Sequence, residues 1–335
     1  MGGSVVITGA NGSLALGFVE AFLKSYPQYT LIAAVRNTST KEDANTAKLA
    51  SLIARYPKAK AHIESIDLGS LVSTRSFADN IAARIASKEL PPIVAIICNA
   101  FTWSLESGQK FTVDDMEATF QVGHLSHYLL VLKLLGSMDV KSGRVVLLGS
   151  IVHFDLPNPI SSLVAGFPED FDKLVTPDAD PSDLIHDRGF QRYANAKLAN
   201  ITFLYDLNKR LEKDPKLSNI TVTAMDPGGL PDSRSQAGQK RAVRGFFALI
   251  NVLMPALKYF TSQFRTTRDA GRDLATLSLD PSFKGKRGYY IGTREGTPSK
   301  VAMAEEVQKK LWDGCWKWAN LTPEETVLQN SASNP

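Results

Sequence analysis

Residues 4–15 of this chain read SVVITGANGSLA and decide how the sequence folds. The apolar run in this stretch predicts a short buried strand, and an amphipathic helical pattern begins at Leu14. Gly9 and Gly12 lie in the turn between them. Backbone N–H groups of such a turn, together with the positive end of the helix, can hold a phosphate group, although an ordinary strand–helix turn has the same pattern. Motifs from the rest of the chain are therefore needed to distinguish a phosphate-binding turn from an ordinary strand–helix turn.

Apolar runs and helical patterns alternate over the first half of the chain. The apolar runs predict strands at residues 4–8, 30–35, 61–66, 93–98 and 144–148. The patterns between them predict helices at residues 14–26, 42–55, 71–87 and 113–135. Strands that are apolar throughout and alternate with amphipathic helices indicate a parallel sheet with helices on both faces. Right-handed crossovers make such a sheet doubly wound, so the sequence predicts an α/β Rossmann fold.

The alternation of strand and helix patterns stops at the beginning of the second half of the chain. Residues 151–188 contain five prolines and seven aspartates without a clear period, which predicts an inserted loop. The pattern then resumes with elements at residues 193–211 (helix), 220–225 (strand), 267–278 (helix), 289–291 (strand) and 301–319 (helix). No linker or repeat divides the chain, so we expect a single domain over residues 1–321, with a polar tail at residues 322–335.

The composition argues against several classes of protein. The chain has 335 residues, of which 44% are hydrophobic and 21% charged, and its net charge is +4. Such values are typical of a globular protein, and a weak charge of interleaved sign does not favour nucleic acid as a partner. Cys98 and Cys315 are the only cysteines, too few for a disulfide framework or a Cys-based zinc site. His124 and His127 have no evident third ligand, so we expect no metal and a packing or polar role for both.

The longest apolar stretch, residues 246–260, is too short to cross a membrane. It has 15 residues and is interrupted by polar ones, whereas a span needs about 20. The N-terminus shows no basic region followed by a long apolar stretch, as a secretory signal would have. Together with the scarcity of cysteine, these features predict a cytoplasmic protein.

A tyrosine and a lysine four residues apart are candidates for proton transfer. A tyrosine can give or take a proton at a carbonyl oxygen if a nearby cation lowers its pKa from about 10. Three tyrosines of this chain, Tyr56, Tyr193 and Tyr205, are followed by lysine at the fourth position. Tyr56 lies in a predicted loop, and Tyr205 lies about 18 Å farther along the same helix as Tyr193. Tyr193, with Lys197, lies between the fifth and sixth predicted strands.

Taken in order, these motifs resemble those of the short-chain dehydrogenase/reductase family over roughly residues 4–295. The motifs are Thr-Gly at 8–9, Asn-Ala at 99–100, Ser150 at a strand end, Tyr-x-x-x-Lys at 193–197 and Pro-Gly at 227–228. Each is weak alone, but the ordered set is improbable by chance. The long insertion, the Tyr289-Tyr290 strand and the tryptophans near the C-terminus are most similar to the retinol dehydrogenase-like and protochlorophyllide reductase-like branches.

The resemblance implies a role for each member of the catalytic set. Ser150 would hydrogen-bond the substrate oxygen, Tyr193 would act as general acid or base, and Lys197 would hold the nicotinamide ribose and lower the pKa of the tyrosine. It also implies contacts with a dinucleotide cofactor from Thr8, Gly9, Asn11, Gly12, Ser13, Leu14, Arg36, Asp67, Leu68, Asn99, Ala100, Tyr193, Lys197, Pro227 and Gly228. Asp67 and Leu68 would contact the adenine.

The end of the second strand indicates which dinucleotide binds. A ribose 2′-hydroxyl is usually held there by an acidic residue, whereas a 2′-phosphate needs a cation. This strand is followed by Arg36, whose guanidinium suits phosphate, and not by a carboxylate. A solvated surface arginine is the alternative interpretation, but at this position we expect NADP(H) as the cofactor.

The chain departs from the family at two places. Gly123 stands where the family commonly has an asparagine that holds a water linked to the lysine, so the proton relay would have to be rerouted through the backbone or a neighbour such as His124. The separation of Ser150 and Tyr193 is long because of the 151–188 insertion. The basic, apolar segment at 231–265 fits a substrate lid, with a core helix or peripheral membrane contact as alternatives.

We therefore expect an NADPH-dependent oxidoreductase that reduces a ketone or aldehyde on a bulky hydrophobic small molecule. One alternative is an NADP(H)-binding homologue that acts as a sensor or interaction protein with weak redox activity, for which Gly123 is the supporting feature. Another is an isomerase that uses the same tyrosine. The sequence leaves open whether the chain forms a homo-oligomer.

Overall fold

Eight strands form one sheet in the computed structural model, which describes residues 2–157, 160–257 and 263–328. The strand order is β3-β2-β1-β4-β5-β6-β7-β8, and every neighbouring pair is parallel except β7 and β8. The strands are β1 Ser4–Thr8, β2 Thr30–Val35, β3 Lys60–Ser65, β4 Ile93–Cys98, β5 Arg144–Leu148, β6 Thr221–Asp226, β7 Gly288–Ile291 and β8 Arg294–Glu295. The predicted doubly wound sheet is confirmed.

Helices cover both faces of this sheet. They are α1 Ser13–Ser25, α2 Ala44–Ala54, α3 Leu71–Ala86, α4 Ala118–Phe120, α5 Ser126–Leu134, α6 Ile185–Lys213, α7 Arg241–Leu257, α8 Thr267–Leu279, α9 Lys300–Met303 and α10 Glu305–Trp318. One apolar core lies between the sheet and α1, α2 and α8, and the other lies between the sheet and α3, α5, α6 and α10. Alternate residues of each strand enter opposite cores, as Val5 and Val6 do, because side chains of a strand point to opposite faces.

The helix predicted at 113–135 is shorter and less regular than expected. Regular helix begins at Ala118, where the side chain of Glu117 accepts a hydrogen bond from the backbone N–H of Phe120. A π-helical segment, Gln121–Leu125, then separates α4 from α5. Such a segment inserts one extra residue per turn and is frequently found at functional sites. The prediction missed it because apolar periodicity does not distinguish a π-helical turn from an α-helical one.

The 151–188 insertion is irregular, as predicted, but part of it belongs to the core. Leu174 and Val175 are buried, and the carbonyl of Val175 accepts the N–H of Glu117 at 2.7 Å. The carboxylate of Asp172 accepts the indole N–H of Trp318 at 2.7 Å. The insertion also ends earlier than predicted, since α6 begins at residue 185. It therefore docks onto the C-terminal helix and does not form a separate surface loop.

The last part of the chain is also more ordered than its polar composition suggests. Leu328 is buried, and Glu325 forms an ion pair with Arg75 at 2.9 Å. The hydroxyl of Thr326 donates to the carbonyl of Leu132 at 2.9 Å. The start of the predicted polar tail therefore packs on α5, and residues 329–335 lie outside the described ranges. Residues 258–262 of the predicted 231–265 lid also lie outside them. No helix of the described part has both the length and the apolar character that a bilayer span requires.

Leu174→Ala should lower the free energy of unfolding by about 2–4 kcal/mol, because truncating a buried leucine loses apolar burial and leaves a cavity. Leu156→Ala is the matched control, since Leu156 lies in the same insertion but is 60% exposed, and it should change stability by less than about 0.5 kcal/mol. Urea unfolding measures both. Equally small effects would mean that the insertion contributes nothing to the core.

Candidate active site

The turn between β1 and α1 leaves space and free backbone donors for a phosphate group. Gly12 precedes α1, and no side chain caps the N–H groups of the first helical turn. Gly9 has φ of 62°, a conformation that favours glycine, and a Cβ there would lie 3.0 Å from the Cβ of Ala100. The positive end of α1 and the absence of side-chain bulk are the two properties that a bound pyrophosphate needs.

Thr8 and Asn99 hold this turn against the end of β4. The hydroxyl oxygen of Thr8 accepts the N–H groups of Asn99 at 3.0 Å and Ala100 at 3.1 Å. The amide of Asn99 donates to the carbonyl of Thr8 at 2.9 Å. Nε2 of His127 lies 2.8 Å from the Thr8 hydroxyl, which completes its hydrogen bonds. Thr8 and Asn99 therefore position the turn, and Thr8 itself is fully buried.

His127 makes a polar contact inside the protein, with the hydroxyl of Thr8. Burial lowers its pKa to about 3, so its imidazole is neutral. Within the described residues, no group of three or more His, Cys, Asp or Glu side chains could hold a metal ion.

Arg234, which sequence reasoning missed, reaches the same turn from the segment after β6. Its guanidinium donates to the carbonyl of Asn11 at 2.7 Å and to the hydroxyl of Ser13 at 3.3 Å. A cation at the positive end of α1 is unfavourable unless an anion lies beside the cation and the helix N-terminus. Arg234 is therefore a candidate phosphate ligand. No sequence motif marks it, because it is distant from the turn in sequence.

The side chain of Asn11 points towards α2. It donates to the hydroxyl of Thr46 at 3.0 Å and to the carboxylate of Asp43 at 3.3 Å. Asp43 caps α2, and backbone N–H groups help to lower the pKa of its carboxyl group.

The residues predicted to contact the adenosine half stand at the ends of β2 and β3. Arg36 is exposed and forms no ion pair within the described residues. Asp67 is exposed, and its carboxylate accepts the N–H of Gly69 at 2.9 Å. Leu68 is buried, and its carbonyl accepts the Ser126 hydroxyl at 2.7 Å. All three lie at the carboxyl ends of the strands, as Gly9 does, because β1, β2 and β3 are parallel. They do not line the cavity that contains Gly9, which is described below.

Ser150 follows β5, and His153 holds it in place. Nδ1 of His153 donates to the carbonyl of Ser150 at 2.7 Å, while its Nε2 accepts the N–H of Ser299 at 3.2 Å. Both contacts require the neutral imidazole tautomer that carries its proton on Nδ1. Burial lowers the pKa of His153, which keeps the ring neutral. The sequence showed no sign of this contact, since Ser299 is distant along the chain.

Tyr193 and Lys197 lie on the face of α6 that points towards Ser150. The ammonium of Lys197 donates to the carbonyl of Leu148 at 2.9 Å and lies 5.5 Å from the ring centroid of Tyr193. Burial lowers the pKa of Lys197 to about 8, and the negative charge of Asp226 opposes this shift. The lysine therefore still carries its charge at neutral pH.

The pKa of Tyr193 does not follow the expectation. It is raised, first by burial and second by the negative charge of Asp226, while a hydrogen bond from Ser150 opposes the shift. The expected lowering by Lys197 is not seen, and the ammonium of Lys197 instead donates to the backbone carbonyl of Leu148. A raised pKa keeps the tyrosine protonated at neutral pH.

Asn200 occupies the region where the missing asparagine side chain of position 123 was expected to act. Its amide donates to the carbonyl of Gly123 at 3.2 Å and to the carbonyl of Leu148 at 3.4 Å, the same oxygen that Lys197 uses. Its carbonyl oxygen accepts from Nδ1 of His124 at 2.9 Å. Asn200 is three residues after Lys197, so helical spacing alone could have placed the two on one face.

Aromatic rings line the open side of the cavity. Trp103 and Phe101 lie at 4.9 Å and 5.4 Å from Tyr193 between ring centroids, and Phe190 lies at 6.1 Å. Phe247, on the inner side of α7, also lines this space. The cavity has a volume of about 530 Å³. Aromatic and polar side chains together therefore form its wall.

The cavity brings together most of the residues that the sequence singled out. Those lining it are Gly9, Asn11, Gly12, Ser13, Leu14, Asn99, Ala100, Ser150, Tyr193, Lys197, Pro227 and Gly228. Thr8, Arg36, Asp67 and Leu68 do not line it. The four most informative residues that sequence reasoning missed are His153, Asn200, Arg234 and Trp103.

Comparisons with known proteins agree with this fold. A family model described as the AcuH dehydrogenase domain matches residues 239–328. The chain is 32% identical to short-chain dehydrogenase iccH of Talaromyces variabilis, over 98% of each protein. It is 24% identical to the chloroplastic protochlorophyllide reductase B of Hordeum vulgare, over 93% of this chain and 77% of that protein. Among solved structures, the angucycline C-6 ketoreductase LanV with bound NADP has a TM-score of 0.59 at 14% identity, covering 87% of this chain and 96% of LanV.

The sheet order and the residues at its carboxyl edge define the class of doubly wound α/β oxidoreductases. Within that class, the near full-length match to a short-chain dehydrogenase shows that this chain belongs to the short-chain dehydrogenase/reductase family. The family expected from the sequence, with its protochlorophyllide reductase-like branch, is confirmed.

The buried lysine should make stability depend on pH. Its pKa falls from 10.5 to about 8 on folding, so between these values the unfolded chain binds more protons than the folded one. The free energy of unfolding should therefore rise with pH across this window, while below it the cost of burying the charge is fully present. Relative to Lys197→Met, wild type should gain on the order of 2–3 kcal/mol. Urea unfolding from pH about 7.5 to about 10.5 measures the difference, and a difference that does not vary with pH would contradict the prediction.

Proposed function

We propose that this protein uses NADPH to reduce a ketone or aldehyde on a bulky, apolar small molecule. The observation that carries the proposal is the convergence of Ser150, Tyr193 and Lys197 on one cavity that also contains an uncapped helix N-terminus. The three side chains can position a carbonyl group and protonate its oxygen, and the helix N-terminus can hold a dinucleotide pyrophosphate.

The residues present fit a dinucleotide. At Gly9 and Gly12 a Cβ would come within about 3 Å of neighbouring atoms, so only glycine keeps the turn open. Gly228, with φ of 77°, gives the second turn, next to the nicotinamide position that the family resemblance implies. In LanV, a relative in fold, NADP is bound. Together these observations support NADP(H) as the cofactor.

Two arginines would bind different phosphates of that cofactor. Arg36 follows β2, where a ribose 2′-phosphate requires a cation, and it has no ion-pair partner in the described part of the chain. Arg234 lies on the turn at Asn11 and Ser13, where it would reach the pyrophosphate. The first contact would select NADPH over NADH, and the second would serve either dinucleotide.

The reduction needs a hydride at the carbonyl carbon and a proton at its oxygen. NADPH supplies the hydride when it is bound. Ser150 donates a hydrogen bond to the carbonyl oxygen, and Tyr193 gives its hydroxyl proton to the same oxygen as the C–H bond forms. A pKa above the ordinary value keeps Tyr193 protonated until this step. Lys197 would hold the nicotinamide ribose of the bound dinucleotide, the other role that the family resemblance implies for it.

Asn200 is proposed as a positioning residue for this lysine. It shares the carbonyl of Leu148 with Lys197 and binds the carbonyl of Gly123. The alternative of a homologue with weak redox activity rested on the missing asparagine at position 123. A buried amide in contact with both carbonyls weakens the argument for that alternative and favours an active enzyme.

The substrate class follows from the cavity walls. Phe101, Trp103 and Phe247 present aromatic surface in this cavity, and its polar side chains belong to the catalytic set, the surroundings of the cofactor turn, Thr102 and residues 233–236 and 239. Aromatic walls bind large apolar molecules, and the polar groups orient one carbonyl among them. Val152 and Ile160 of segment 151–188 and Phe247 of the predicted 231–265 lid also line this cavity, and we propose that both segments belong to one single-domain enzyme.

Tyr193→Phe should lower kcat for carbonyl reduction by about 10²–10⁴-fold, because only the proton donor is lost. The Kd for NADPH should stay within about twofold, since the ring remains. Tyr205→Phe, at the other Tyr-x-x-x-Lys pair of the same helix, is the matched control and should leave kcat within about threefold. Stopped-flow NADPH oxidation with a panel of aromatic ketones measures these rates. Near-normal turnover in Tyr193→Phe would show that another group donates the proton.

Arg36→Ala should weaken NADPH binding by at least about tenfold, or roughly 1.4 kcal/mol, and leave NADH binding unchanged. Arg234→Ala should weaken both dinucleotides by a similar factor of about ten, because both carry the pyrophosphate. Arg272→Ala, at an exposed arginine of α8, is the control and should change neither Kd. Fluorescence titration with both dinucleotides measures all four proteins. Equal affinities of wild type for NADPH and NADH would rule out the role of Arg36.

A further inference from the structure

The outer face of α7 is an exposed apolar surface. Four of its side chains, Phe246, Leu249, Val252 and Leu253, are 51%, 57%, 75% and 45% exposed. Positions 246, 249 and 253 recur at the spacing of one helical face. Scattered apolar residues on a surface are ordinary, but four within two turns of one helix are not. Phe246 also lies 6.3 Å from Phe264 between ring centroids but stays half exposed, so the described residues of the chain leave most of this outer face of α7 uncovered.

The inner face of the same helix is already used. Phe247 and Met254 are buried, and Phe247 lines the cavity beside Tyr193. The apolar residues of α7 thus divide into an inner stripe that closes the active-site cavity and an outer stripe that faces away from it. Packing of the enzyme's own core explains only the inner stripe.

Positive charge lies at the N-terminal end of the outer face of α7. Residues 233–257 contain four basic side chains and no acidic one, so this segment alone carries a charge equal to the net +4 of the whole chain. Lys240, Arg241 and Arg244 are exposed at the N-terminal end of the helix. The described residues give none of the three an ion pair, although Lys240 lies near enough to Asp187 to help lower the pKa of that carboxyl group.

We propose that the outer face of α7 docks on the surface of an anionic lipid bilayer. An amphipathic helix with basic residues beside large apolar ones lies in a membrane interface, with its apolar side chains among the acyl chains and its cations at the headgroups. Phe246 and Leu249 would enter the interface, and Arg241 and Arg244 would contact lipid phosphates and carboxylates. The other side of α7 forms part of the cavity wall, so docking would place the cavity close to a source of apolar substrate.

A second copy of the chain is the main alternative occupant. Two outer faces packed together would bring Lys240, Arg241 and Arg244 of both copies to one interface, and residues 233–257 of neither copy contain an acid to neutralise them. Like charges across an interface oppose association. Anionic headgroups neutralise the same cations, so the charge favours a bilayer over a dimer.

Vesicle flotation of the full chain tests the proposal. We expect binding to phosphatidylcholine vesicles that contain about 30% phosphatidylserine, weaker binding without phosphatidylserine, and loss of binding when salt rises from about 50 mM to about 500 mM. Phe246→Ser/Leu249→Ser should lower the vesicle partition coefficient at least about tenfold at low salt. Lys240→Gln/Arg241→Gln/Arg244→Gln should do the same.

Matched controls change equivalent residues elsewhere on the surface. Val72→Ser removes an apolar side chain that is 70% exposed on α3, and Lys309→Gln/Lys310→Gln removes two exposed cations of α10, and both should float like wild type. Thermal unfolding verifies that each variant folds. Absence of wild-type flotation, or equal flotation of all variants, would overturn the proposal. So would a dimer, seen by sedimentation velocity without lipid, that Phe246→Ser/Leu249→Ser dissociates, because that result assigns the outer face of α7 to a second copy.

Discussion

The buried ammonium of Lys197 is the charge on which the arrangement of the site depends. Its removal from water lowers its pKa to about 8, and the carbonyl of Leu148 and the negative charge of Asp226 offset part of that cost. These two partners stand at the ends of neighbouring parallel strands, β5 and β6, whose register pairs Leu148 with Met225. A slip of one residue would turn every side chain of a strand to the other face. Sheet register and lysine charge therefore stabilise one another.

A chain of buried hydrogen bonds extends from this lysine through helix α6. Asn200 shares the Leu148 carbonyl, its own oxygen accepts from His124, and the second nitrogen of His124 lies 3.4 Å from the sulfur of Cys315 in α10. Burial lowers the pKa of His124 to about 4, so the ring is neutral and can donate at one nitrogen and accept at the other. Buried polar groups must find partners, and here each partner comes from a different element. The site is thus tied to the C-terminal helix.

The 151–188 insertion contributes both to the cavity and to the stability of the fold. The insertion after Ser150 approaches the aromatic wall, and its residues Leu174 and Val175 enter the core while Asp172 binds Trp318. A region that varies to suit a substrate would ordinarily be a loop on a rigid scaffold. In this chain it is held between α4 and α10, so changes that alter the cavity are also expected to alter stability.

The sequence by itself determined the seven parallel strands, the order of the motifs and the family, but not the short antiparallel strand β8. Continuous apolar runs and the glycine turn are local signals, since each depends only on neighbours in the chain, and so the strand bounds differ little from those observed. That Ser150, Tyr193 and Lys197 lie in one cavity was also readable, because their spacing relative to the strands is a property of chain order. The π-helical segment, the docked insertion and the packed residues up to 328 were not readable, because they arise from contacts between distant elements.

Tertiary structure alone decided which further side chains lie around Ser150, Tyr193 and Lys197. Arg234 reaches Asn11 across 223 positions, and the contact between Ser299 and His153 spans 146. It also decided the direction in which the pKa of Tyr193 moves, since burial depends on what packs around the ring and outweighs the spacing to Lys197. Local pattern specifies which elements form, whereas hydrogen-bond partners and desolvation depend on how those elements come together in space.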